Sequence, residues 1–219
     1  MRKLIFVIAL LVTLPLSAQT AATPASLWDD LMKGNARFAV GGNLVTNVGK
    51  APYGDQWPEV TVLSCADSRV PPELIFNQGV GKLFVLRTAG NIPDPFAIAS
   101  VEYAVVAAGH QPPAQWTKLI VVLGHQRCGA VAAALKPGPG GSPSLDMLVD
   151  RIRESFAGLK WNYNDPKAVD AAVRANARAS AAYLLAHSAI IRNAVLQGKV
   201  GLAVAYYSLD TGKVERIPY

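Results

Sequence analysis

Residues 60–69 read VTVLSCADSR, a short unbroken apolar run followed at once by polar and charged residues. Three further apolar runs are equally continuous: LFVL (83–86), LIVVL (119–123) and VGLAVAY (200–206). A strand with one face in water alternates apolar and polar residues, whereas a strand covered on both faces does not. The four runs therefore predict strands of a parallel sheet that is buried on both faces.

Helical signals lie between most of these runs. Asp94-Pro95 and Asp165-Pro166 each combine an N-cap residue with proline at the first helical position, and they predict helices over 96–108 and 166–187. Ser188 is expected to cap a third helix, and residues 26–38 form an amphipathic pattern before the first strand. Residues 136–144, rich in Gly and Pro, predict a loop. Strands that alternate with helices predict a single α/β domain with a central, mainly parallel sheet of about four strands flanked by helices.

The composition excludes several classes of protein. Hydrophobic residues make up 51% and charged residues 16% of the 219 residues, so the chain can bury a core and is not disordered. The formal net charge of +6 is spread along the chain without a basic cluster, which argues against a nucleic-acid partner. Two cysteines are too few for a disulfide-dense scaffold.

Residues 1–22 are expected to be a secretory signal peptide. Arg2 and Lys3 precede an apolar stretch over 4–14, and small residues follow. Eleven residues rise only about 16 Å as a helix, which is too short to cross a bilayer core of about 30 Å. We therefore expect a mature domain over 23–219 that is periplasmic or secreted and not membrane-bound after cleavage.

Chemically useful side chains follow the first and third predicted strands. Cys65, Asp67 and Arg69 come after the first strand, and GHQRCG (124–129), with His125 and Cys128, comes after the third. If these strands are neighbours, their carboxyl ends share one crevice, where open α/β sheets bind ligands. Two thiolates and an imidazole suit zinc and leave a fourth position for water.

Two other interpretations of these residues stay open at this point. The cysteines could form a disulfide, which would close a loop of about sixty residues in an exported protein. A disulfide requires neither His125 nor the Asp67–Arg69 pair, so zinc is favoured. Asp67 could be a fourth zinc ligand or a hydrogen-bond acceptor held ionised by Arg69, and the pair could equally be a structural salt bridge.

Four ordered motifs resemble those of the β-class carbonic anhydrases, in particular a plant-type subclass in an exported bacterial form. They are CADSRVPPE (65–73), FVLRTAGN (84–91), EYAV (102–105) and GHQRCG (124–129). DTGKV (210–214) resembles the last hairpin of that family. The resemblance extends over roughly residues 27–217 and implies the β-carbonic anhydrase fold. It also implies one zinc ion per subunit on Cys65, His125 and Cys128, with Asp67 and Arg69 as catalytic residues.

The resemblance further implies a substrate pocket, whose residues would be Gln56, Phe84, Tyr103 and Gly129. Some of these would act across a dimer interface. Core packing is the alternative for Phe84 and Tyr103, and backbone geometry is the alternative for Gly129. One departure is Gln126, since the family usually has Ser or Thr directly after the zinc histidine.

The activity implied by the resemblance is that of a zinc lyase. It would hydrate carbon dioxide reversibly to bicarbonate and a proton through a zinc-bound hydroxide, and it would act as a homodimer or a multiple of one. Two alternatives are a hydrolase of carbon disulfide or carbonyl sulfide on the same scaffold, and a non-enzymatic exported protein with a Cys65–Cys128 disulfide.

Overall fold

A central five-stranded sheet organises the computed structural model, which describes residues 21–42, 56–106, 117–157, 162 and 165–219. The strands are β1 (Val60–Cys65), β2 (Leu83–Thr88), β3 (Leu119–His125), β4 (Gly201–Tyr207) and β5 (Val214–Ile217). Their order is β2-β1-β3-β4-β5, with β1 to β4 parallel and β5 antiparallel to β4. The predicted mainly parallel α/β sheet is confirmed, with the short hairpin strand β5 as the fifth member.

Seven α-helices surround the sheet within the described residues. They are α1 (Pro24–Ala39), α2 (Pro72–Ile75), α3 (Pro95–Val106), α4 (Gly129–Leu135), α5 (Pro143–Arg153), α6 (Pro166–His187) and α7 (Ala189–Leu196). The predicted caps form: Asp94 Oδ1 accepts a hydrogen bond from Ala97 N, Asp165 Oδ1 from Lys167 N, and Ser188 Oγ from Ile191 N. The four predicted helices are therefore confirmed, with end points shifted by a few residues.

The loop predicted over 136–144 ends earlier than expected. Ser142 Oγ accepts a hydrogen bond from Leu145 N, and Pro143 occupies the first turn, so α5 begins at Pro143. Cap and proline signals outweigh the Gly-rich composition before them. The run GAVAAAL of α4 also forms a helix, although its small residues carry no amphipathic pattern.

Two helical layers cover the sheet unequally. Helices α3 to α7 pack on one face around a large apolar core, and α1 and α2 cover the other face. Strands β1 and β3 are buried throughout and β4 over nearly its whole length, as the continuous apolar runs predict. Strand β2 is only half-buried, because it lies at the sheet edge and pairs with β1 alone among the described strands.

The topology brings two chain segments together at the carboxyl ends of the strands. Cys65 ends β1 and His125 ends β3, and these parallel strands are direct neighbours. The expected signal peptide lies outside the described residues apart from positions 21 and 22. No helix in the described part of the chain is both long and apolar enough to span a membrane.

Candidate metal centre

Cys65, His125 and Cys128 meet at the carboxyl ends of the strands and are here called the Cys–His–Cys group. Their ligand atoms all lie within 4.8 Å of one another, and all three residues are buried. The two sulfur atoms are 3.9 Å apart and both cysteines are free. The disulfide alternative is therefore not supported, and the three side chains form a compact donor set.

The imidazole of His125 presents a bare nitrogen to this group. Its Nδ1 lies 2.9 Å from the carbonyl oxygen of Gln126, which can only accept, so Nδ1 carries the proton in the neutral ring. Its Nε2 is buried and has no hydrogen-bond partner in the structure. Because a buried polar atom without a partner is costly, this lone pair is suited to bind a cation.

The hydrogen bond between the two thiols shifts their pKa values in opposite directions. The pKa of Cys65 falls well below its usual range and the pKa of Cys128 rises well above it, because the proton that stays on Cys128 is donated to the Cys65 thiolate. A divalent cation would release the second proton. Two soft sulfurs and one imidazole match the preferences of zinc, so the residues present fit a zinc ion.

Backbone N–H groups stabilise both sulfur atoms. The amide of Gly90 lies 3.3 Å from Cys65 Sγ. Cys128 is the N-cap of α4, and the backbone N–H groups of Ala130 and Val131 in the first turn of that helix act to lower the pKa of its thiol. The three candidate ligands could be predicted from the sequence, but the contact of Gly90 could not, because Gly90 reaches the site through the turn after β2.

Asp67 and Arg69 form a bidentate ion pair beside the Cys–His–Cys group. Arg69 Nε donates to Asp67 Oδ1 at 2.9 Å and its Nη2 donates to Oδ2 at 2.7 Å. This pair lowers the pKa of Asp67 well below its usual range and raises that of Arg69. Asp67 Oδ2 is 3.9 Å from His125 Nε2, but Asp67 does not belong to the donor group. Its carboxylate is ionised and lies beside the donor group.

Arg87 holds the loop that carries these residues. Its Nε donates to the Cys65 carbonyl oxygen at 3.0 Å and its Nη2 donates to the Asp67 carbonyl oxygen at 2.5 Å. Arg87 is the register partner of Ser64 on the neighbouring strand. No role for Arg87 was expected from the sequence, although a lone arginine at the end of an apolar strand could have indicated a polar contact there.

Gln126, the departure from the family pattern, links the histidine loop to the turn between β4 and β5. Its Nε2 donates to Asp210 Oδ2 at 2.7 Å, and its Oε1 accepts from Asp210 N at 3.0 Å and from Ser208 Oγ at 3.3 Å. Arg127 Nη2 donates to the second oxygen of Asp210 at 2.8 Å. The side chain of Gln126 therefore bonds to the hairpin, whereas its backbone carbonyl oxygen contacts His125.

The predicted substrate-pocket residues are spread over the subunit. Gln56 is exposed and precedes β1, whereas Cys65 ends that strand. The rings of Phe84 and Tyr103 stack with centroids 6.3 Å apart, and Phe84 lies four residues before the strand end that faces Cys65. Gly129 opens α4 directly after Cys128. The roles of these four residues in substrate binding stay predictions.

Comparison with known sequences gives a consistent result. A family model described as carbonic anhydrase matches residues 60–214. Carbonic anhydrase 2 of Mycobacterium tuberculosis is 35% identical over 200 residues, covering 87% of this chain and 91% of that protein. A carbonic anhydrase of Mycolicibacterium smegmatis is 34% identical, covering 89% and 93% respectively. The sulfide-hydrolase alternative gains no support from these relatives.

Solved structures agree in fold. A β-carbonic anhydrase of Sordaria macrospora, one of two described as tetrameric, has a TM-score of 0.64 at 26% identity and covers 76% of this chain and 83% of its own. A Coccomyxa β-carbonic anhydrase in complex with acetazolamide has a TM-score of 0.63 at 27% identity, with 88% and 82% covered. The sheet and its flanking helices are therefore shared with these enzymes.

Proposed function

The chain belongs to the β-class carbonic anhydrases, and from that premise we propose that it catalyses the zinc-dependent, reversible hydration of carbon dioxide to bicarbonate and a proton. The observation that carries the proposal is the buried Cys–His–Cys group beside an ionised Asp67, in a chain whose match to the family spans residues 60–214. Substrate and product are small molecules, so the reaction needs only a small space beside these side chains.

Cys65, His125 and Cys128 would hold the zinc ion. Zinc supplies Lewis acidity, which makes water a stronger acid and so provides a nucleophile near neutral pH. The protein contributes three donors where tetrahedral zinc takes four, which is typical of catalytic rather than structural sites. Arg87 and the backbone amides around the sulfurs keep the donors in place before the metal arrives.

Asp67 would orient the attacking water. An ionised carboxylate can only accept hydrogen bonds, so it fixes the water's hydrogen and directs a lone pair of the water at the carbon of the substrate. Arg69 keeps Asp67 ionised by donating to both of its oxygens. The side chain of Asp67 is 17% exposed, so its remaining acceptor positions are accessible to a substrate water.

Stopped-flow measurement of carbon dioxide hydration on a sample of known zinc content tests this function. Asp67→Asn should retain zinc and lose hydration activity by about 100-fold or more, in line with the loss of a hydrogen-bond acceptor that orients the attacking water. Asp150→Asn is the matched control, because Asp150 also pairs with an arginine but lies on α5. Equal activity in wild type and Asp67→Asn would overturn the role of Asp67. Zinc-loaded protein that hydrolyses carbon disulfide but does not hydrate carbon dioxide would overturn the reaction itself.

We further propose that the protein is a homo-oligomer built from dimers. The Sordaria relative is described as tetrameric. In this chain β2 leaves one strand edge without a partner among the described strands, its apolar side chains are only half-buried, and Phe96 on the adjacent α3 is 85% exposed. Apolar surface of this kind supports burial against a second copy.

Light scattering after size-exclusion chromatography measures the assembly. Wild type should elute with an even multiple of the chain mass, and Phe96→Asp should shift the population toward smaller species. Val40→Asp, at the residue that caps the carboxyl end of α1 and is 81% exposed, should leave the mass unchanged. A wild-type mass equal to one chain would contradict the assembly.

We also propose that the protein is exported from the cytoplasm, with residues 1–22 as its signal peptide. Helix α1 begins at Pro24 with Thr23 as its cap, so cleavage near residue 22 would leave the helix intact. N-terminal sequencing of protein from the periplasmic fraction should begin close to residue 19 or 23. Recovery of the full-length chain from the cytoplasm alone would contradict it.

A further inference from the structure

Asn176 is a buried polar residue in the middle of α6, remote in sequence from every predicted site residue. It is 2% exposed, and the helix buries mainly Ala, Val and Leu around it. Its Nδ2 donates to the carbonyl oxygen of Gly90 at 2.7 Å. Because an amide buried among apolar groups is costly unless it is hydrogen-bonded, the bond to Gly90 indicates what the side chain is placed to do.

Gly90 is itself the residue whose amide reaches the candidate metal centre. It lies in the turn Ala89–Asn91 that follows β2, with φ +69° and ψ 21°, a conformation that favours glycine. A Cβ at this position would lie 2.7 Å from Ile152 Cδ1, so the turn is closely packed. The amide of Gly90 points to Cys65 Sγ at 3.3 Å while its carbonyl is held by Asn176.

A second contact from the same helix supports this arrangement. Ser180, one turn further along α6, accepts a hydrogen bond from Asn91 Nδ2 at 3.5 Å. Asn91 is a non-glycine residue at φ +48°, so the turn holds two consecutive residues in the left-handed region. Such a turn persists only when its surroundings hold it, and α6 supplies two of the contacts.

We propose that Asn176 is a positioning residue for the metal centre: by anchoring Gly90 it holds the N–H that donates to Cys65 Sγ and so stabilises that sulfur as an anionic ligand. This role rests on the proposed function, because it requires that a divalent cation binds the Cys–His–Cys group. Residues that hydrogen-bond to metal ligands commonly contribute 10- to 100-fold to metal affinity. Asn176 acts one residue further out, through the backbone.

Metal binding and spectroscopy separate this role from a purely structural one. In Asn176→Leu, of similar volume, and Asn176→Asp, of the same shape, zinc affinity measured by competition with a chelator should fall about tenfold. The thiolate-to-cobalt charge-transfer band of the cobalt-loaded protein should move to lower energy, because a sulfur that loses an N–H donor releases its electrons more easily. Wild-type affinity and band position in both variants would overturn the proposal.

Thr117→Val is the matched control. Thr117 is fully buried and its hydroxyl hydrogen-bonds with that of Thr61 at 2.6 Å, at the end of the strands opposite to Cys65. This variant should lower the thermal midpoint but leave zinc affinity and the cobalt band unchanged. A band shift of the same size in Thr117→Val would assign the effect to general destabilisation and overturn the specific role of Asn176.

A measurement on the wild type stands even if both Asn176 variants fail to fold. In protein loaded with an NMR-active cadmium isotope, the amide signal of Gly90 should be split by coupling to cadmium through the N–H···S hydrogen bond, and an unsplit signal would overturn the proposal. None of these readouts depends on carbon dioxide. If the protein binds metal as expected but does not hydrate carbon dioxide, that result would contradict the proposed function but not the role of Asn176.

Discussion

At the scale of single residues, charge is set by very local contacts. Asp67 and Arg69 are two positions apart, and the bend of the chain after β1 brings the carboxylate against both the guanidinium and the backbone N–H of Arg69. The carboxylate therefore remains ionised in acid solution. The same contacts hold it beside His125 in an orientation that a flexible surface aspartate would not keep.

The low pKa of Asp67 predicts a pH-dependent contribution to stability. In the unfolded chain an aspartate has a pKa of about 3.9, and folding lowers it, so the ionised group stabilises the fold above about pH 4 and this contribution is lost as the pH falls through the folded value. Asp67→Asn should lower the unfolding free energy of the metal-free protein by about 1 kcal/mol at pH 7, since Arg69 is half-exposed.

Urea unfolding of metal-free protein at pH 7 and at lower pH measures this contribution. The difference between wild type and Asp67→Asn should shrink as the solution becomes acidic. The side chain of Asp150 is 66% exposed, so the unfolding free energy of Asp150→Asn should differ little from that of wild type throughout. A difference that stays constant between neutral and acidic solution would contradict the assignment.

Gly90 offers a second test at this scale. Gly90→Ala adds a Cβ at 2.7 Å from Ile152 Cδ1 to a backbone at φ +69°, so both crowding and strain oppose it. We expect a loss of about 2–4 kcal/mol in unfolding free energy together with weakened zinc binding. Gly198→Ala shares φ +69° but its Cβ would meet nothing within 4 Å, so it should lose only about 1 kcal/mol. Equal losses in the two variants, measured by urea unfolding, would contradict the crowding.

At the scale of elements, α1 is joined to the sheet by a polar side chain as well as an apolar face. Asn35 is buried; its Nδ2 donates to the carbonyl oxygens of Ile75 and Gly212, and its Oδ1 accepts from Val214 N at 2.8 Å. One residue therefore connects α1 with α2 and with the β4–β5 hairpin. These backbone groups would lose their partners if α1 moved.

Removing this connection should destabilise the whole domain. Asn35→Ala leaves the buried carbonyl group of Ile75 and the part-buried carbonyl of Gly212 and N–H of Val214 with a missing partner, so we expect a loss of about 2–4 kcal/mol in unfolding free energy. Asn193→Ala, at an exposed residue of α7, should change the unfolding free energy by less than about 0.5 kcal/mol. Chemical denaturation of the two variants makes the comparison. A loss in Asn35→Ala no larger than that in Asn193→Ala would show that α1 is held by its apolar face alone.

At the scale of the whole molecule, the candidate metal ligands come from segments that only the folded sheet brings together. Cys65 and Cys128 are 63 residues apart in sequence and 3.9 Å apart in space. An unfolded chain offers no preformed site for a metal, so any cation that binds the Cys–His–Cys group stabilises the folded state by mass action.

Zinc removal should therefore lower stability reversibly. Treatment with a chelator should lower the thermal midpoint, and zinc added back should restore it. The stabilisation should reach about 4 kcal/mol when free zinc exceeds its Kd by about a thousandfold. Cys65→Ser should bind zinc far more weakly and show little of this response. A wild-type midpoint that does not change with zinc would contradict the site.

Much of this architecture could be predicted from sequence because its signals are local. The continuous apolar runs of β1, β3 and β4 predict strands covered on both faces, and the Asp-Pro and Ser caps predict where helices begin. The spacing of Cys65, His125 and Cys128 after two such strands predicts a shared edge, since parallel strands present their carboxyl ends together. The apolar run of β2 is as continuous as those of the other strands, so this run does not reveal that β2 lies at the edge of the sheet.

The fold class, the three candidate metal ligands and the Asp67–Arg69 pair could be predicted from the amino-acid sequence, because strand burial, caps and neighbouring side chains depend on short stretches of chain. The contacts that support the candidate ligands are visible only in the folded molecule. Arg87 reaches the carbonyls of Cys65 and Asp67 through the register of β2 against β1, and Asn176 reaches Gly90 across 86 residues through the packing of α6. Register and helix packing depend on how all the apolar faces fill one core, which no single segment specifies.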